Sequence, residues 1–329
     1  MKILLDTDIG SDVDDALALA LALNSSEIEL CGITTVYGPV ELRAKIALTI
    51  LKKCNIDTPV GIGQSQPLST FPEIWTTGFE KKNLEPVKED IFDDYKFYDG
   101  IELLKNKILE NPGEITIVCI APMTNIATLI TKYPQVVPEI KRIVFMGGGI
   151  EKESFNDDIK DAGVSHIENQ YNISAQKGYR SFYEHNLGAD PQAAMTVLQS
   201  PIPKVMVGKN ITHAAKIAKP ELWKILNKNN QIHFYLKYLC QIWLKFWQKD
   251  YFLLHDPLTM QIAFDKLLKL EYTPVNIYVD QTGYKDYTGD IISFGFCLAF
   301  PSSNNYNQAI LKVDFEKFFD TFSKRLSCF

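Results

Sequence analysis

Apolar and polar positions fall in blocks along the first half of the chain. Lys2 to Leu5 is a short apolar run that stops at Asp6, and Asp14 to Leu23 is an acidic start leading into unbroken Ala and Leu. This is the pattern of a strand, a loop and a buried helix. The blocks recur: Ile28 to Val36 reads as strand and Leu42 to Cys54 as helix, Ile115 to Ile120 as strand and Asn125 to Lys132 as helix, and Ile143 to Met146 as strand. Such alternation predicts an α/β fold, an open, mostly parallel Rossmann-like sheet with helices on both faces. A strand buried on both faces should be continuously apolar, as Ile115-Thr116-Ile117-Val118-Cys119-Ile120 nearly is.

Two further helix starts are marked by Asp190-Pro191 and Asp256-Pro257, each offering an N-capping carboxylate before a proline at the first helical position. Between Gly149 and Tyr183 the chain turns polar without sustained periodicity, which predicts a long loop, a functional lid or a mobile insertion. No repeat, low-complexity tract or Gly/Ser linker divides the 329 residues. The expectation is one domain, 1–329, elaborated by a polar insertion at about 150–183.

Composition narrows the function classes. With 34 basic and 40 acidic residues the formal charge is −6, and no Lys/Arg-rich run concentrates positive potential, which argues against a nucleic-acid partner. The six cysteines stand singly, without the spacing of a disulfide framework, and are read as reduced thiols. Met1 to Leu5 is too short an apolar run for a secretory signal and Ala16 to Leu23 too short to cross a bilayer. The expectation is a cytoplasmic protein with no membrane partner.

Candidate chemistry gathers in Asp6-Thr7-Asp8-Ile9-Gly10-Ser11-Asp12-Val13-Asp14-Asp15, five carboxylates in ten residues. Acids this close repel one another, yet they lie between a buried strand and an apolar helix, where open sheets bind ligands. A hard divalent cation such as calcium, which takes oxygen ligands, would offset the repulsion. Capping the following helix accounts for one or two of the acids, not for the run. Neighbouring helical residues point about 100° apart, so one of Asp14 and Asp15 can face a metal and the other a substrate. An EF-hand loop fits poorly, because Gly10 and Leu17 occupy positions where it needs oxygen ligands. A haloacid-dehalogenase-like phosphatase shares Asp-x-Asp but keeps its last acidic pair far downstream.

These residues resemble the opening of the nucleoside hydrolases, the inosine/uridine-preferring group, in a form carrying two extra loop residues, DTDIGSDVDDALAL. The resemblance continues in order through Ile33-Thr34-Thr35-Val36-Tyr37-Gly38, Ala121-Pro122-Met123-Thr124-Asn125-Ile126-Ala127, Met146-Gly147-Gly148-Gly149, Glu184-His185-Asn186 with Asp190-Pro191, and His255-Asp256-Pro257. It implies a nucleoside hydrolase fold and calcium-dependent hydrolysis of ribonucleosides to ribose and free base, in nucleoside salvage, by a homodimer or homotetramer. By matching position it implies Ca²⁺ held by Asp8, Asp15, Asp256 and the backbone carbonyl of Thr124. Asp8 is then also the general base, His255 the group that protonates or hydrogen-bonds the leaving base, and Asp14, Met146, Glu184 and Asn186 the sugar side of the site.

Plainer roles compete. Asp256 reads equally as an N-cap, Thr124 as a helix start and His255 as a buried hydrogen-bonded histidine, while Asp190 is read as structural. Met146-Gly147-Gly148-Gly149 lacks the spacing of a dinucleotide loop. Trp243, Phe246, Trp247, Tyr251 and Phe252 lie where the family often places aromatic groups over the base, and their spacing equally suits a core. Three features depart from the family. Pro39 stands where Asn or Asp usually reaches the sugar. The 150–183 stretch is long, with Asn156 and Asn172 both candidates for its usual amide. Residues 39 to 120 hold no His, so the base-facing histidine of some pyrimidine-preferring members has no counterpart. The competing functions are a nucleoside- or ribose-binding protein with little turnover and a metal-dependent phosphatase.

Overall fold

The structure, a computed structural model, describes residues 1–70, 73–151, 162–176, 179–285, 291–293, 295–303 and 306–329. Its centre is an 11-stranded sheet. In spatial order the strands are Tyr98–Asp99, Val60–Ile62, Glu29–Thr35, Lys2–Thr7, Ile115–Cys119, Ile140–Met146, Lys204–Val207, Asn307–Val313, Leu270–Val279, Phe296–Pro301 and Phe182–Tyr183. Pairing is parallel from Tyr98–Asp99 as far as Asn307–Val313 and antiparallel beyond it. The mostly parallel sheet follows from the strand-helix alternation. Every residue of Ile115–Cys119 is buried, as its continuous apolar run requires.

Helices cover both faces. One core gathers the helices Asp14–Leu23, Val40–Lys53, Gln231–Trp247, His255–Phe264 and Phe315–Ser327; the other gathers Gly100–Glu110, Thr124–Lys132 and Pro191–Leu198. The helix Asp14–Leu23 buries Asp14 through Ala22, which explains a sequence with no polar face. It packs against His255–Phe264, buried from Asp256 onward. That pairing brings the N-terminal turns of two helices, far apart in the chain, to one place. Among the described residues no helix is long and apolar enough to cross a membrane.

Two local expectations are corrected. Asp190 does cap its helix, accepting from Ala193 N at 3.2 Å, but Asp256 is not an N-cap. Its helix starts one residue earlier, at His255 with Leu254 in the cap position, which leaves the Asp256 carboxylate free of capping. The polar insertion is also not all loop, because it contains the helix Ala162–Tyr171. Among the side chains described, that helix packs Val164, Ile167 and Tyr171 against Leu298 and Phe300, a stripe too narrow to register as periodicity. Asn156 lies outside the described residues.

Candidate active site

The site forms where the first parallel strands end. After Lys2–Thr7 the chain bends at Gly10, whose φ is 116°; a Cβ there would lie 2.7 Å from Ile46 Cδ1, so the turn requires glycine. The loop is tied down by the fully buried Arg43. Its Nε donates to Tyr37 O at 2.7 Å, its Nη1 to the carbonyls of Asp8 and of Ile9, and its Nη2 to Ser11 Oγ at 3.1 Å. Asn83 Nδ2 adds a bond to Gly10 O at 2.7 Å. Arg43→Met would strand these carbonyls in the interior. We expect it to cost about 3 kcal/mol or more, read from urea unfolding; a loss below about 1 kcal/mol would show that the loop holds itself.

The loop opens onto a cavity of about 480 Å³. On its wall the carboxylates of Asp14, Asp15 and Asp256 converge, each offering an oxygen so that all three lie within 4.8 Å of one another. All are buried. Burial is the first cause that pushes each of them well above the ordinary carboxylate range. The next is a neighbouring acid: Asp12 for Asp14, Asp8 for Asp15, and Asp14 for Asp256. Thr7 Oγ1 donates to Asp15 Oδ1 at 2.5 Å, and Asp256 N donates to Asp14 Oδ2 at 3.3 Å. Arg43, the buried cation beside them, directs its donors to carbonyls and Ser11 rather than to this trio.

Asp8, Met146, Glu184, Asn186 and His255 line the same cavity. Asp8 lies beside the trio without being one of it, and Asp14, assigned to the sugar by resemblance, is. Thr124 is not in the cavity lining; its hydroxyl donates to Asp190 Oδ2 at 2.7 Å. Glu184 accepts from Asn186 N and Leu187 N at 3.0 Å and from Gly148 N at 3.2 Å, while Asn186 Nδ2 donates to Met146 O at 3.1 Å. These bonds fix the triple-glycine turn against the Glu184-His185-Asn186 segment. His255 is held by Thr212 Oγ1, 2.7 Å from its Nδ1. Burial first, then His213 and Lys209, push its pKa down to about 3, so the ring is neutral at physiological pH.

Of the five aromatics singled out in the sequence, Trp247 lines the cavity. Phe252 is buried in the core and Trp243 packs on it; Phe246 packs on Phe79 at 4.8 Å and on Trp247 at 5.1 Å; Tyr251 sits in a two-stranded pairing with Lys216–Ala218. Sequence reasoning missed Tyr37, Trp75 and His185 as site residues. Trp75 lies 6.2 Å from Trp247, ring to ring, and both are part-exposed at the cavity. A lone Trp in an aperiodic polar segment was the available signal for Trp75. Pro39 and Asn172 are not in the lining of the cavity.

The family model described as inosine-uridine preferring nucleoside hydrolase matches residues 3–320. An uncharacterized protein of Schizosaccharomyces pombe is 36% identical over 67% of this chain and 66% of its own length. The non-specific ribonucleoside hydrolase of Klebsiella pneumoniae is 31% identical over 66% and 64%. The chain thus spans slightly under two thirds of the length of these relatives. The pyrimidine-specific ribonucleoside hydrolase of Salmonella arizonae is 29% identical over 99% of this chain and 98% of its own. Among solved structures, the purine-preferring ribonucleoside hydrolase from Gardnerella vaginalis superposes with a TM-score of 0.71 at 25% identity, covering 99% and 98% of the two chains. The chain belongs to the inosine-uridine preferring nucleoside hydrolase family.

Proposed function

We propose that this protein is a calcium-dependent N-ribohydrolase that splits ribonucleosides into ribose and free base. One observation carries the reading: carboxylates from the two ends of the chain, Asp14 and Asp15 with Asp256, converge within 4.8 Å on a nucleoside-sized cavity. Two oxygens bound to one calcium at about 2.3–2.6 Å lie no more than about 5 Å apart, so the trio has the right spread. An oxygen-only, buried and anionic donor set suits a hard cation. Asp8 and the Thr124 carbonyl would complete the protein's share, leaving room for ribose hydroxyls. When bound, the cation supplies Lewis acidity, making water a nucleophile near neutral pH.

Asp8 accepts a proton from the attacking water as its oxygen bonds to the anomeric carbon. The bond from that carbon to the base nitrogen breaks and its electron pair leaves with the base. The acids around the sugar stabilise the positive charge that develops on it. Held through Nδ1 by Thr212 Oγ1, His255 turns Nε2 toward the departing base, and in the tautomer with its proton there it donates a hydrogen bond to that base. Glu184, Asn186 and Met146 orient the sugar, and Trp75 and Trp247 offer faces for the base, where stacking contributes about 1–3 kcal/mol. The resemblance adds nucleoside salvage by a homodimer or homotetramer.

The test is incubation with Ca²⁺ and a panel of purine and pyrimidine nucleosides, followed by chromatography. Base release that EDTA stops and Ca²⁺ restores is the expected result. Pro39, which gives the sugar no polar contact, favours a binding protein as the second reading; tight nucleoside binding without base release would establish it. Inorganic phosphate released from a phosphorylated substrate would support a phosphatase instead.

A further inference from the structure

His185 is a polar ring on the cavity wall that the mechanism above leaves unused. It begins the short helix His185–Gly188, and its Nε2 is 3.9 Å from Asp8 Oδ2. That gap is too long for a direct hydrogen bond, but a single oxygen atom at about 2.8 Å from each would bridge it. The histidine side chain is 33% exposed and that of Asp8 10%, so both reach the cavity from packed surroundings. Two edge contacts fix the ring: Tyr37 and Trp75 each lie 5.6 Å away, centroid to centroid, at 84° and 73°. These two are fixed to one another, since Trp75 N donates to the Tyr37 hydroxyl at 2.9 Å.

The two cavity histidines have different supports. His255 leans on Thr212 and His213, which follow the strand Lys204–Val207. The supports of His185 follow Glu29–Thr35 and Val60–Ile62, on the other side of Lys2–Thr7 in the sheet order. One imidazole is thus free to serve the leaving base while the other sits beside the proposed general base.

Resting on the hydrolase reading, we infer that His185 holds the attacking water against Asp8. The ring donates from Nε2 to one lone pair of the water while Asp8 accepts one of its protons. The electron pair freed as that O–H bond breaks bonds to the anomeric carbon, so the water's other lone pair stays open to the cation. The water proton passes to Asp8, the electron pair of the broken bond leaves with the base, and His185 neither gains nor loses a proton.

The test compares wild type, His185→Phe, which keeps the ring edges on Tyr37 and Trp75, and His185→Gln, which restores a donor. Each is assayed on a nucleoside and on p-nitrophenyl β-D-riboside, whose leaving group departs without help. His185→Phe should lower kcat roughly 10- to 100-fold on both substrates, with KM changed less than about twofold. His185→Gln should recover part of the loss, and calorimetric Ca²⁺ binding should be the same in all three proteins. Undiminished kcat in His185→Phe would overturn the inference by making the ring a packing element. A loss confined to the nucleoside would overturn it by making His185 a contact of the base. A wild type that turns over neither substrate removes the hydrolase reading and this inference with it, whereas an active wild type matched by His185→Phe removes the inference alone.

Discussion

Asp8→Asn should lower kcat for nucleoside hydrolysis by roughly 10²- to 10⁴-fold while leaving most of the calcium affinity in place. The amide keeps the size of the side chain and an oxygen that can face a cation, but it cannot accept a proton from water. Asp8 lines the cavity beside the close trio of Asp14, Asp15 and Asp256 rather than within it. Loss of a trio member should therefore act differently: Asp256→Ala or Asp15→Ala removes calcium binding and turnover together. Initial rates and calorimetric titration on the same preparations separate the two classes. Full turnover by Asp8→Asn would remove its role as base.

Calcium should also hold the fold together, and increasingly so as pH rises. Without a cation, Asp14, Asp15 and Asp256 have folded-state pKa values raised first by burial and then by the charge of neighbouring acids, Asp12, Asp8 and Asp14 respectively. The folded protein then binds protons that the unfolded chain has already released above about pH 4. The stability this supplies is complete below that value and is lost as pH rises through the raised pKa values. Calcium binds the ionised acids, so its stabilising effect grows over the same range. At about one hundred times its dissociation constant a ligand contributes roughly 2.7 kcal/mol, or roughly 4 °C in Tm for a chain of this size. Scanning calorimetry at about pH 5 and about pH 8, with EDTA or with Ca²⁺, should show the larger gap at the higher pH. Equal gaps, or none, would place the cation elsewhere.

The fold was legible wherever burial was complete. The helix Asp14–Leu23 is buried all round, so its unbroken Ala and Leu marked it in the sequence with the bounds the structure shows. Strands such as Ile115–Cys119 were legible for the same reason. The antiparallel extension was not, because Leu270–Val279 mixes buried, half-buried and exposed positions and begins with a largely exposed stretch. Nothing local announces its partners.

The site divides in a similar way. The acids of the first loop stood out because their mutual repulsion needs an explanation. Asp256 was reached only through the family resemblance, since Asp-Pro reads equally as a cap, and the structure then showed that it caps nothing. Arg43 was overlooked because a basic residue in an amphipathic helix ordinarily faces solvent; here the carbonyls of Asp8, Ile9 and Tyr37 draw it into the interior. Tyr37, Trp75 and His185 belong to one another only through contacts between segments remote in sequence.

The central claim is that acids from both ends of the chain assemble one cation site where water displaces a nucleobase directly from ribose. Proton NMR of the sugar first formed from a β-ribonucleoside, with Ca²⁺ present and before mutarotation, tests it most directly. Direct displacement predicts the α-anomer. Initial formation of β-ribose would contradict the account, because it requires a covalent sugar intermediate that a single water held by Asp8 does not form.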